Sequence, residues 1–208
     1  RQRFPDRAPW TVTTLTLAEI KQLEAGSFFV ETDPFGTIAA GIIDAPTQAT
    51  LRREPVPTLA EALVYTRAHH WRVNVEIKKT PPPLESFPVV EKIIKLIEHL
   101  NMPELVLLSS FEHHYLQTAK ALNPHIATAA LIKRPTADPL TLLQQLQCQA
   151  YHPHYKLVNA TQIKALRQAG FEVNVWTVNR PEDIAYFTEA GVSGLFTDFP
   201  QTFLRHQP

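Results

Sequence analysis

Glu76 and Lys78 carry the strongest chemical signal in this sequence. Residues 72–78 alternate, with Val73, Val75 and Ile77 at one parity and Asn74, Glu76 and Lys78 at the other. In a strand the two parities face opposite ways. A carboxylate and an ammonium pointing inward together must be paired, bound to a metal or solvated in a cleft. The competing reading is an amphipathic edge strand with an i,i+2 charge pair. Residues 172–177 repeat the alternation, placing Asn174 and Trp176 opposite Val173 and Val175. A tryptophan at the end of such a strand can form a flat apolar wall beside a polar centre, or simply fill a core. In residues 105–111, Ser109 and Phe111 share a face and Ser110 takes the other. No histidine and acid stand at nucleophile spacing from these serines, so a serine hydrolase is disfavoured and Phe111 reads as a pocket wall.

Other polar clusters point less sharply. His152 and His154 lie one strand repeat apart and could start a zinc site, but no third ligand is clustered with them. A polar pocket or a hydrogen-bonded pair fits them better. Glu31 and Asp33 have a spacing that serves a hard cation, yet they precede Pro34 in an irregular stretch and read as a solvated loop. His69, His70, His113 and His114 fall at helix ends and read as surface or cap residues.

These residues need elements to hold them. From residue 70 onward a strand, a turn and a helical segment recur. The strands are expected at 72–78, 105–110, 126–132, 150–155, 172–177 and 194–197. Helices are expected at 87–100, 113–122, 139–146, 160–169 and 181–190, with Gly170 and Gly191 placed to end two of them. Such alternation predicts a parallel sheet covered by helices. Upstream, residues 15–23 have amphipathic spacing, residues 27–57 look irregular, and Thr58 with Glu61 predicts a capping box opening another helix. Residues 1–57 therefore read as an irregular insertion over the barrel mouth and 58–208 as the βα-repeat portion, one domain overall. Six strands are too few to close an eight-stranded barrel, whereas an open doubly wound sheet usually shows a glycine-rich phosphate loop. Here the first strand runs into Lys78, Lys79, Thr80 and three prolines.

Composition narrows the partners. Among 208 residues, 20 basic side chains balance 20 acidic ones, which gives no electrostatic reason to expect nucleic acid. No apolar run approaches the roughly 18 residues of a membrane span. The single cysteine excludes an internal disulfide and fits a reducing compartment such as the cytoplasm.

The motifs in order are Val56-Pro57-Thr58-Leu59-Ala60-Glu61-Ala62-Leu63, Asn74-Val75-Glu76-Ile77-Lys78, Ser109-Ser110-Phe111, Trp176-Thr177-Val178-Asn179 and Gly194-Leu195-Phe196-Thr197-Asp198-Phe199-Pro200. Together they resemble the glycerophosphodiester phosphodiesterases of bacterial type, and Asp33 to Gly41 is similar to the family's insertion. The resemblance implies an α/β TIM barrel and metal-dependent hydrolysis of glycerophosphodiesters to glycerol 3-phosphate and an alcohol, a step of lipid metabolism. It implies magnesium or calcium as cofactor and a small-molecule substrate as partner. By position, Glu76 matches a metal-binding carboxylate, Lys78 the phosphate-contacting base, Phe111 and Trp176 the apolar walls, and His152 a further polar contact.

The resemblance also implies what these residues lack. The family opens with a His-Arg-Gly strand, a Glu-Asn motif, a Glu-x-Asp metal pair and a His-Asp element, none of which follows Arg1. The expectation is an amino-terminally incomplete barrel whose catalytic histidine pair and remaining metal carboxylates lie upstream, leaving the 208 residues alone inactive. The alternative is a catalytically inactive remnant or ligand-binding module of the same fold.

Overall fold

A computed structural model of the chain describes residues 5, 6, 8, 11–82 and 84–200. Arg1 and Pro83, used in the sequence reading, lie outside the described residues. The chain divides into two compact units, residues 1–64 and 65–208.

The first unit holds α1 (Leu17–Ile20), α2 (Ser27–Thr32), α3 (Ala45–Leu51) and the start of α4 (Leu59–Ala68), within which the division falls. Residues 27–57 are thus less irregular than their prolines suggest. Asp44 caps α3 by accepting the Thr47 amide at 2.9 Å, and Pro46 occupies the first turn, where its missing N–H costs nothing. The expected capping box forms: Glu61 Oε2 accepts from the Thr58 amide at 2.7 Å, and Thr58 Oγ1 accepts from the Glu61 amide at 3.2 Å. Lys21 Nζ joins it, bonding the same Glu61 oxygen and the Val56 carbonyl.

The second unit is a six-stranded, wholly parallel sheet in chain order: β1 (Val73–Glu76), β2 (Val106–Ser110), β3 (Ala127–Ile132), β4 (Ala150–Pro153), β5 (Glu172–Val175) and β6 (Gly194–Leu195). It is an incomplete α/β barrel. Between the strands run α5 (Val89–His99), α6 (His113–Leu122), α7 (Pro139–Leu146), α8 (Ala160–Gln168) and α9 (Pro181–Ala190). Helix α5 shows why these segments dock. Val90, Ile94 and Ile97 recur on one stripe and all are buried. Gly191 ends α9 at φ 86°, in the left-handed region that the sequence reserved for it.

Strand alternation divides the sheet into two faces. Ile132, Tyr151, Val173 and Val175 meet Leu116, Leu143, Ile163, Ile184 and Phe187 in one buried cluster beneath the helices. Each such large apolar side chain contributes on the order of 1.5–3 kcal/mol when fully buried. The opposite parity carries Glu76, Ser109, Leu131, His152 and Asn174. The register aligns Glu76 with Ser109, Ser109 with Ala129, Leu131 with His152 and Asn174 with Gly194.

Candidate functional site

The polar residues of that second face gather at the carboxyl ends of the strands. Lys78 Nζ donates to Glu76 Oε1 at 2.7 Å. The Lys78 side chain is 78% exposed and that of Glu76 28%, so the pair stands at a rim where an anion can reach the ammonium. Two contacts from neighbouring elements fix the loop that carries it. Ser110 Oγ donates to the Ile77 carbonyl at 2.7 Å, and the Tyr115 hydroxyl accepts from the Thr80 amide at 3.2 Å. The three neighbours are divided in role: Ser110 ties the residue after β1 to the end of β2, Ser109 is buried, and Phe111 turns towards the indole.

Phe111 and Trp176, 65 residues apart in sequence, meet edge to face with ring centroids 5.6 Å apart. The indole is held from three sides. Trp176 Nε1 donates to the His152 carbonyl at 2.8 Å, and the His154 ring stands 4.9 Å away, also edge to face. The Trp176–Thr177 peptide bond is cis. Just beyond it, Asn179 receives the Asp198 amide at 2.9 Å and donates to Asp198 Oδ2 at 2.7 Å. Two motifs recognised separately in the sequence are thus one hydrogen-bonded corner.

His152 is fully buried rather than lining an open surface. Its Nε2 lies 2.9 Å from Asn174 Nδ2, and the Phe196 ring packs edge to face at 5.2 Å. With the amide donating, the imidazole proton sits on Nδ1, which meets no described partner. Burial pushes this imidazole down to about 4, so it is neutral at physiological pH. His152 and His154 do not form a ligand pair, since His154 Nδ1 accepts from the Lys156 amide at 3.2 Å. In the first unit, Asp33 accepts the Ile38 and Ala39 amides at 3.1 and 2.9 Å, which lower its carboxyl below the usual range. Glu31 lies 3.6 Å from Arg52. Glu31 thus belongs to α2 and Asp33 caps its carboxyl end, so the pair is held by a helix terminus and not by the irregular loop the sequence suggests.

Among the described residues no group of three or more His, Cys, Asp or Glu side chains could hold a metal ion. Magnesium or calcium takes six or more oxygen ligands, many of them carboxylate. Glu76 offers one carboxylate, already engaged by Lys78, and so does not by itself form such a cage. A cavity of about 360 Å³ lies elsewhere, against the amino-terminal ends of the strands, lined by Asn74, Leu107, Ala127 and Glu172 among others. This cavity is therefore not where the charged pair and the aromatic wall stand. Sequence reading missed Lys133, two positions beyond Leu131 at the end of β3, whose Nζ lies 5.1 Å above the Phe111 ring centroid. The available signal was its parity, continuing that of Leu131 past the strand end.

Among the described residues no helix is long and apolar enough to cross a membrane. The chain is 31% identical over 194 residues to a glycerophosphodiester phosphodiesterase of Caldanaerobacter subterraneus subsp. tengcongensis, covering 93% of this chain and 71% of that protein. A Bacillus subtilis glycerophosphodiester phosphodiesterase is 29% identical over 199 residues, with 90% of this chain and 63% of that protein covered. The structure of an Oleispira antarctica phosphodiesterase in complex with the product sn-glycerol-3-phosphate superposes with a TM-score of 0.75 at 25% identity, covering 94% of this chain and 71% of that one. The parallel half-barrel agrees with that superposition, and residues 3–202 match the glycerophosphoryl diester phosphodiesterase family, to which the chain belongs.

Proposed function

We propose that this chain forms the phosphate- and glycerol-binding part of an enzyme that hydrolyses glycerophosphodiesters to glycerol 3-phosphate and an alcohol. The observation that carries the reading is the juxtaposition, at one end of one sheet, of an accessible Lys78 ammonium held by Glu76 with the Phe111–Trp176 wall. Lys78 supplies a positive charge to a phosphate oxygen, and Glu76 fixes where that charge stands. The aromatic wall gives the glycerol carbons an apolar surface and keeps water from one side of the phosphate. Glu76 is also the carboxylate available to a magnesium or calcium ion, whose other ligands the described residues do not supply.

The test uses the full product of the gene that encodes these residues. Incubation with glycerophosphocholine and magnesium or calcium is expected to release glycerol 3-phosphate, read by a coupled dehydrogenase. Chelation is expected to stop the release and Lys78→Ala to lower it at least about tenfold. A second reading follows from Glu76 being engaged by Lys78 at 2.7 Å: a module that binds a glycerophosphodiester without cleaving it. Calorimetric binding with no product in any metal selects that reading. Neither binding nor release overturns both.

A further inference from the structure

We infer that the carboxyl end of β3 forms a second anion subsite, which selects glycerophosphodiesters carrying an additional phosphate or carboxylate over those with a quaternary ammonium group. The inference rests on the diester reading above and extends it to substrate class. A cavity of about 210 Å³ opens beside Phe111, lined also by Lys133, Arg134 and Thr136. Phe111 is thus a shared wall, with Trp176 against it and this cavity beside it.

Two features give the cavity its sign. Lys133 and Arg134 are both exposed, and neither forms an ion pair with a described carboxylate. The nearest acid following them in sequence, Asp138, spends its oxygens on the Thr141 amide and hydroxyl at 3.0 and 2.6 Å. Lys133 Nζ also stands over the Phe111 ring. An aromatic face is where a trimethylammonium group would otherwise bind, through the ring's negative quadrupole. Here a resident ammonium competes for that face and repels a second cation. A phosphate or carboxylate reaching past Phe111 meets instead two cations free to pair, one of them a guanidinium suited to bidentate contact.

Titration of the 208-residue chain with glycerophosphoinositol 4-phosphate, glycerophosphoserine and glycerophosphocholine tests this, read by calorimetry and by backbone amide shifts at 131–136. The phosphoinositide, which adds a phosphomonoester to the diester, is expected to bind roughly tenfold tighter than the choline diester, the difference shrinking with added salt. Glycerophosphoserine shows whether a carboxylate suffices. Arg134→Ala is expected to weaken only the anionic ligands. Lys133→Ala is expected to weaken them and to tighten glycerophosphocholine, while Lys133→Arg keeps the original order. Equal affinities for all ligands, or Lys133 and Arg134 variants that leave the order unchanged, overturn the inference. Lys78→Ala separates it from the functional reading. If that variant leaves every ligand bound as before while Lys133→Ala still reorders them, the diester reading fails and the anion subsite stands. If glycerophosphocholine binds through Lys78 without any anionic preference, only the subsite fails. No binding of any ligand overturns both.

Discussion

At the scale of single residues, the site depends on one buried imidazole that never meets solvent. In the unfolded chain His152 takes up a proton near pH 6.5, while in the folded protein it does so only near pH 4. The unfolded state therefore binds more protons between those values, and stability falls as pH drops through that window, by about 3 kcal/mol in total. His152→Gln removes this dependence. Urea unfolding at pH 7 and at pH 4.5 is expected to show a larger loss in the wild type than in the variant, and equal losses would remove His152 from the account. Gly194 guards the same contact. A Cβ there would stand 2.8 Å from Asn174 Oδ1 and displace the amide from His152. Gly194→Ala is expected to cost on the order of 1–3 kcal/mol in urea unfolding, since a buried polar group is left unpaired.

At the scale of elements, long polar side chains finish what the backbone leaves open. Lys120 in α6 is buried, and its Nζ donates to the carbonyls of Pro124 and Ile126 at 3.2 and 2.8 Å. It thereby closes the turn that leads into β3. Lys120→Met keeps the shape and removes both donors, with an expected loss of about 1–3 kcal/mol in thermal or urea unfolding. At the start of α4, the Lys21 ammonium and then the Thr58 amide hold the Glu61 carboxyl down at about 2, against 4.5 when unfolded. That support is complete above pH 4.5 and is lost as pH falls towards 2. Glu61→Gln is expected to flatten acid unfolding in this lower window and leave the pH 6.5 to 4 window of His152 unchanged. Circular dichroism across the two windows distinguishes the groups.

At the scale of the molecule, the two units differ in how they are held. The second has a continuous buried cluster under a parallel sheet, whereas in the first the described α-helices are four to seven residues long apart from the shared α4. Gly26 is a sensitive point in the first unit, because a Cβ there would lie 1.9 Å from the Leu51 carbonyl oxygen. No side chain can yield, since the obstacle is backbone. Gly26→Ala is therefore expected to abolish amide protection in residues 17–58 in hydrogen exchange while strands β2 to β5 stay protected. Loss of protection throughout would mean that the units unfold as one.

Periodicity alone placed nearly every element of the second unit. Helices 113–122, 139–146 and 181–190 run as expected, and each strand is one or two residues shorter than expected at one end, β1 at both. Period two and period 3.6 are local properties written in neighbouring side chains; Glu76 and His152 lie on β1 and β4, whereas Lys78, Phe111 and Trp176 fall one or two positions past the ends of β1, β2 and β5. Two things were not legible. The helices at 27–32 and 45–51 are too short for periodicity to reveal, and they depend on a cap at Asp44 and on the close approach at Gly26. The contacts that make the site belong to residues far apart in the chain: Phe111 with Trp176, Asn179 with Asp198, and Lys133 over Phe111. A strand's own sequence fixes which way a side chain points, but its partner is set by register and by the curvature of the sheet. Only the folded chain brings those into being.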